Sequence, residues 1–135
     1  MNLLRLGRLT GNTAWEERAE KTSRLFSTDI RKAPTGFGFA LQSVLFAAAG
    51  SREIIIAGKK VHDTTREMLH ALHRRFLPDS VILLWDPDDN IMQHVAPFLS
   101  GFPRRGEQAT AYVCQNYSCE LPTHSPEKML ELIGE

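Results

Sequence analysis

The stretch EIIIAGKKVHDTTREMLHALHRRFLPDSVILLW, Glu53 to Trp85, decides the fold of this chain. It contains two short apolar runs, Ile54 to Ala57 and Val81 to Trp85, and the segment between them has apolar residues at helical spacing. Continuous aliphatic runs of this length are typical of strands that are buried on both faces of a sheet. Because a helix between two such strands is the usual crossover of a parallel pair, the stretch predicts a βαβ unit.

The alternation of strand and helix continues towards the end of the chain. Residues 91–98 carry apolar positions at helical spacing, residues 110–114 form a third apolar run, and the segment after Pro126 has the pattern of a last helix. We therefore expect an α/β fold in which residues 51–135 form a small domain around a three-stranded, mainly parallel βαβαβα sheet.

The N-terminal part of the chain has a different, all-helical pattern. Apolar spacing predicts helices over residues 2–9 and 13–26, joined as an αα-hairpin, and a third helix from Pro34 to about Gly50. Thr13 and Glu16 form a capping-box pattern at the start of the second helix. We expect this helical segment, residues 1–50, to cover one face of the sheet. Its first helix can instead be the trailing end of a larger helical array, and the sequence leaves both possibilities open.

Composition limits the classes of function. The 16 basic residues balance the 16 acidic residues, whereas nucleic-acid binders usually carry a basic excess. No apolar run approaches the ~20 residues that span a bilayer, and Arg5 and Arg8 interrupt any signal-like segment. Two cysteines are too few for a disulfide scaffold. We therefore expect a soluble cytoplasmic protein with no nucleic-acid or membrane partner and no cofactor.

Cys114 and Cys119 are the most conspicuous candidate site. Their spacing differs from the C-x-x-C of dithiol oxidoreductases, which disfavours a redox enzyme but leaves a reversible or structural disulfide open. A zinc site could use both cysteines with His124, and would need a fourth ligand from elsewhere, such as His94. The interpretation we favour is two reduced cysteines that pack as small apolar side chains.

Two predicted loops follow the carboxyl ends of the first two strands. Gly58, Lys59, Asp63 and Thr64 lie where open parallel sheets bind anions at a helix N-terminus, although no phosphate-binding glycine motif is present. The acidic cluster at residues 86–89 can hold a cation, but a solvated turn with a helix-capping role is the simpler interpretation. No pattern of a catalytic nucleophile occurs, so we predict no catalytic residue.

The segment AYVCQNYSCELPT, Ala111 to Thr123, with the Pro126-Glu127 helix start, resembles the C-terminal end of the YyaL/spermatogenesis-associated protein 20 family. Further segments agree in order along the whole chain: NLLRLGRLTGN from Asn2, AEKT from Ala19, Pro-Thr-Gly from Pro34, and IIIAG from Ile54. The resemblance is carried mainly by the AYVC-x4-C motif.

This resemblance implies that the chain is the final portion of a larger protein. The family has an N-terminal thioredoxin-like domain and a central (α/α) toroid, similar to six-hairpin glycosidase folds, whose last hairpin the first two helices here would match. The implied function is that of a non-catalytic accessory domain. Its partners would be those missing domains, or a second copy bound through the N-terminal helices. A thiol-redox role of the cysteines, or nucleotide or sugar-phosphate binding at the strand ends, remains the alternative.

Overall fold

A computed structural model describes residues 1–116 and 118–134 of the chain. The first three helices precede the sheet, and helices and strands alternate from Arg52 onward. Within those residues the α-helices are α1 (Asn2–Thr10), α2 (Thr13–Lys32), α3 (Gly38–Ala48), α4 (Asp63–His73), α5 (Asn90–Val95) and α6 (Pro126–Leu132). The strands are β1 (Arg52–Ala57), β2 (Ser80–Trp85), β3 (Thr110–Gln115) and β4 (Ser118–Cys119). Two 3₁₀ turns precede α3 and follow α5, at Pro34–Phe37 and Pro97–Gly101.

The strands form one sheet in the order β2-β1-β3-β4. β1 and β2 are parallel, with Ile55 opposite Leu83, whereas β3 runs antiparallel to β1, with Tyr112 opposite Ile55. β4 then pairs with β3 as an antiparallel hairpin. The α/β class and the helical N-terminal part are confirmed, but the prediction of three mainly parallel strands is wrong. The direction of β3 was mispredicted because an apolar run indicates that a strand is buried but not which way it runs. β4 was missed because its two residues are exposed and so form no apolar run.

Each face of the sheet is covered by helices. Side chains alternate along β1, so that Ile54 and Ile56 face one layer while Ile55 and Ala57 face the other. The first layer comes from α4 and α6, which bury Met68 and Met129 completely. The second layer, on the Ile55 face, is built from α1, α3, α5 and the turn after it, through a set that includes Leu4, Leu9, Phe46, Ala96 and Leu99.

The boundaries of the N-terminal helices differ from the sequence prediction. Asn12, rather than Thr13, caps α2, because its side-chain Oδ1 accepts a hydrogen bond from the Ala14 N–H at 3.0 Å. The helix also continues to Lys32, six residues beyond the predicted end at Phe26. None of the described helices combines the length and apolar character needed to cross a bilayer. The division of the chain at residue 50 stays a prediction.

Candidate functional site

Cys114 and Cys119 are joined by a disulfide bond, with a Cα–Cα distance of 3.9 Å. The hairpin between β3 and β4 places the two residues directly opposite one another. Asn116 makes the reversal with a φ of 52°, in the left-handed region that asparagine tolerates better than most residues. The favoured interpretation as two reduced cysteines is therefore wrong for this structure, because β4, which the sequence prediction did not include, brings Cys119 opposite Cys114.

The two half-cystines differ in their access to solvent. Cys114 lies on the inner strand β3 and is 4% exposed, whereas Cys119 lies on the edge strand β4 and is exposed. Both side chains line a cavity of about 300 Å³ between the α1–α2 hairpin and the sheet. We call this cavity the disulfide cleft. Phe98 and Phe102 form part of its apolar wall.

Glu53 is an acidic side chain on the strand next to Cys114. It lies opposite Cys114 in the β1–β3 register, so both side chains point to the same face, and both line the disulfide cleft. Glu53 is only 8% exposed, and this burial raises the pKa of its carboxyl above the ordinary value of 4.5. The Arg8 charge and a hydrogen bond from Ser51 Oγ at 3.4 Å oppose that shift without cancelling it.

Arg8 connects three elements across the cleft. Its Nε lies 3.4 Å from Glu53 Oε1 on β1 and 3.3 Å from Glu16 Oε1 on α2. The close approach of α1 and α2 at this point requires Gly7, because a Cβ there would lie 2.5 Å from the Glu16 Cγ. The result is an acid–base–acid cluster against the disulfide. Sequence reasoning missed this cluster, although a glutamate at the head of the IIIA strand was a usable signal.

The predicted anion site at the start of α4 has its polar groups engaged within the protein. Thr64 Oγ1 accepts a hydrogen bond from the Ala109 N–H at 3.1 Å, and Lys59 Nζ lies 2.8 Å from Asp88 Oδ2. Asp63 pairs with Arg66 on the next turn of the helix. Gly58 donates its N–H to the Trp85 carbonyl. The structure thus places these residues close to one another, and anion binding there stays a prediction.

The acidic cluster after β2 shapes a turn. Asp89 caps α5, accepting hydrogen bonds from the Ile91 and Met92 N–H groups at 2.9 and 3.3 Å, and Asp86 Oδ1 accepts one from the Asp88 N–H. The hydrogen bond with Lys59 lowers the pKa of Asp88, and the same contact raises the pKa of Lys59. The helix-capping interpretation is therefore confirmed for Asp89.

The structure offers no support for the weaker zinc prediction. Both sulfur atoms are used by the disulfide. His124 Nδ1 lies 2.9 Å from the Ala109 carbonyl oxygen, and His94 Nδ1 lies 2.7 Å from the Asn90 carbonyl oxygen, so each imidazole has a backbone partner. In residues 1–116 and 118–134 no group of three or more His, Cys, Asp or Glu side chains has an arrangement that could hold a metal ion.

A second feature of interest is an exposed apolar surface on the N-terminal helices. Large apolar side chains are exposed on α2 and α3, and we call them together the α2–α3 surface: Leu25, Phe26, Phe39, Val44 and Leu45. A groove of about 270 Å³ runs beside them between α1, α2 and α3, and Phe26, Ile30 and Ala40 are among its lining residues. The helical segment therefore packs on one face of the sheet, while these large apolar side chains of α2 and α3 stay exposed.

Comparison with known proteins finds relatives that are much longer than this chain. Spermatogenesis-associated protein 20 of Homo sapiens is 29% identical over 133 residues, which cover 98% of this chain and 17% of the human protein. The proteins of the same name from Rattus norvegicus and Mus musculus are 28% and 27% identical over 135 residues, again covering 17% of each relative. No protein-family model matches the chain, and no solved structure is significantly similar to it. These partial matches support the prediction that the chain is a portion of a larger protein.

Proposed function

We propose that this chain is a non-catalytic α/β module that packs on, and completes, the helical (α/α) toroid of a larger protein that also carries a thioredoxin-like domain. The observation that carries the proposal is the α2–α3 surface. The proposal includes the cytoplasmic location expected from the sequence. It names one occupant for the exposed surface, namely the helices that belong to the remainder of that larger protein.

The composition of α3 supports burial on more than one side. Its 11 residues, GFALQSVLFAA, contain no charge, and only Gln42 and Ser43 carry polar side chains. A helix that is apolar all round is typical of a buried position rather than of a surface. Yet Phe46 is the one side chain of α3 that is buried here, whereas Val44, on the opposite side of the helix, and its neighbour Leu45 are exposed. The opposite side of α3 therefore has the character of an interface without its partner.

The size of the relatives supports the choice of occupant. The match covers nearly all of this chain but only 17% of each relative, so most of a larger protein of that kind lies outside the region described here. The two sheet faces, in contrast, already have their own helical layers. We therefore assign the additional helical array to the α2–α3 surface, which gathers five exposed large apolar side chains on two neighbouring helices.

The test is reconstitution from two polypeptides. This chain is co-expressed with the remainder of the larger protein as a separate, tagged chain, and we expect the two to co-purify in equal amounts. Alone, this chain is expected to self-associate in multi-angle light scattering, because the apolar surface lacks its cover. A chain that is strictly monomeric alone, and a remainder that is folded without binding it, would overturn the proposal.

A further inference from the structure

We propose that the Cys114–Cys119 disulfide is a redox-active bond that exchanges with an external dithiol, with Cys119 as the attacked sulfur and Glu53 as the proton donor to Cys114. This role is independent of the packing role proposed above. It rests on the asymmetry of the two half-cystines, on the carboxyl group beside the inner one, and on the way in which the hairpin is held.

The access of a thiol to the two sulfurs is unequal. Thiol–disulfide exchange requires the attacking thiolate to approach one sulfur while the other leaves. Cys119 is exposed on the edge strand, whereas Cys114 is buried on β3 beneath the helical layer. The disulfide lines an open cleft rather than a closed core, so an attacking group can reach it in the folded protein. Attack on Cys119 makes Cys114 the leaving group.

A buried leaving thiolate needs a proton. Burial in apolar surroundings disfavours the thiolate and raises the pKa of a cysteine, so departure of Cys114 is slow without a nearby acid. Glu53 lies beside Cys114 on the same face of the sheet, and burial favours the protonated form of its carboxyl group. Arg8 faces Glu53 from α1 and stabilises the carboxylate that remains after the proton has moved.

The exchange is balanced in atoms and electrons. A thiolate of the external dithiol forms a bond to the sulfur of Cys119, the bond between the two cysteines breaks, and the sulfur of Cys114 takes the Glu53 proton. The second thiol of the reagent then attacks the mixed disulfide, giving an oxidised reagent and two reduced cysteines, with solvent supplying the last proton. The dithiol is oxidised by two electrons, and the protein disulfide is reduced by the same two.

The fold does not depend on the disulfide to hold this hairpin closed. Beyond Cys119, the Glu120 N–H donates to the Val113 carbonyl at 2.9 Å, and Thr123 exchanges two backbone hydrogen bonds with Ala111, at 2.8 and 3.0 Å. Those bonds keep the segment against β3 when the sulfurs separate. A bond whose breaking leaves the strand pairing intact is suited to reversible reduction rather than to a purely structural role.

The first measurement locates the attacked sulfur. Cys114→Ala and Cys119→Ala variants are incubated with oxidised glutathione, and mixed disulfides are followed by mass spectrometry. We expect the variant that retains Cys119 to react about tenfold faster, because thiol reactivity follows exposure. The native chain should also be reduced by dithiothreitol at a rate proportional to its concentration. Equal rates for the two variants, or reduction only in unfolding concentrations of urea, would overturn the proposal.

The second measurement tests the proton donor. The charged groups that act on Glu53 are Arg8 and Glu16, so Glu16→Gln is the matched control for Glu53→Gln: both variants change the ion-pair cluster, but only Glu53→Gln removes the carboxyl group beside Cys114. The rate constant per attacking thiolate should fall in the native chain as pH rises through the pKa of Glu53. Glu53→Gln should be slower, by about tenfold, and independent of pH, whereas Glu53→Asp restores the dependence. Identical pH profiles for Glu53→Gln and Glu16→Gln would refute the role of Glu53.

Discussion

Replacing Phe39 by serine removes a large apolar side chain from α3 at a place where it contacts little of this chain. Phe39 is 87% exposed, so the free energy of unfolding of the isolated chain should change by less than about 0.5 kcal/mol. Phe76, at the end of the α4 region and 88% exposed, provides a matched control, because Phe76→Ser is the same change at the same exposure. It does not belong to the α2–α3 surface, and it lies in the loop after α4 rather than within a helix.

The expected effect on packing follows from the surface that an occupant would cover. Full burial of a phenylalanine side chain is worth about 1.5–3 kcal/mol, and nearly all of Phe39 is available to be buried. A loss of about 2 kcal/mol corresponds to roughly 30-fold weaker binding of the remainder of the larger protein. Adding Leu25→Ser and Leu45→Ser, at residues that are 79% and 66% exposed, should raise the total loss to about 5 kcal/mol, or three to four orders of magnitude.

The assay combines titration of the two-polypeptide complex with urea unfolding of each isolated variant. Phe39→Ser should weaken the complex and leave unfolding unchanged, while Phe76→Ser should alter neither. Equal weakening by both variants would mean that the exposed side chains act through general solubility. A Phe39→Ser chain that binds as tightly as the native chain would refute the assignment of α3 to the interface.

Three further outcomes follow from the geometry. Reducing the disulfide should lower the free energy of unfolding by about 2 kcal/mol, because the disulfide closes a loop with a sequence separation of 5 and so lowers the chain entropy of the unfolded state. Urea unfolding with and without dithiothreitol measures this loss. The Cys114→Ala, Cys119→Ala double variant should not respond to dithiothreitol. Because the folded-state pKa of Glu53 is raised, its contribution to stability is present below the ordinary value of 4.5 and is lost as pH rises through the folded-state pKa. The free energy of unfolding of the native chain, measured relative to Glu53→Gln, should therefore fall over that pH range. A difference that does not change with pH would contradict the burial argument. Gly58→Ala should destabilise the chain by about 1–3 kcal/mol, because a Cβ at this position would lie 2.6 Å from the Thr65 Oγ1 and 3.1 Å from the Ala109 Cβ. Gly36→Ala is the control: no atom lies within 4 Å of a Cβ there, so the same thermal unfolding experiment should show a change of less than about 0.5 kcal/mol.

The parts of the fold that follow from local pattern were predictable. β1, α4 and β2 are recognisable because their apolar residues have the spacing of the element that they form. The direction of β3 was not predictable in this way, because it depends on how residues 86–109 return to the sheet. In that segment α5 is only six residues long and a 3₁₀ turn follows it, so its pattern carries little information on the path of the chain.

The candidate site was less predictable than the fold, for a physical reason. Cys114 and Cys119 were conspicuous, but their pairing needed a two-residue strand with no apolar pattern. Arg8, Glu16 and Glu53 belong to three different elements and meet only when α1 and α2 pack against the sheet. Separation of that kind along the chain leaves no spacing signal. Glu53, which follows Arg52 at the head of an otherwise apolar strand, is the hint that the sequence contains.

Buried and exposed apolar side chains occur on the same helices, rather than on separate parts of the chain. On α3, Phe46 is buried in the core on the sheet face while its neighbour Leu45 is two-thirds exposed. α1 likewise contributes Leu4 and Leu9 to that core and keeps Leu6 exposed. A helix that had evolved only to cap the sheet would be amphipathic, with a polar outer side. The exposed apolar side chains of α3 therefore support the proposal that further protein packs on the side of this helix that faces away from the sheet.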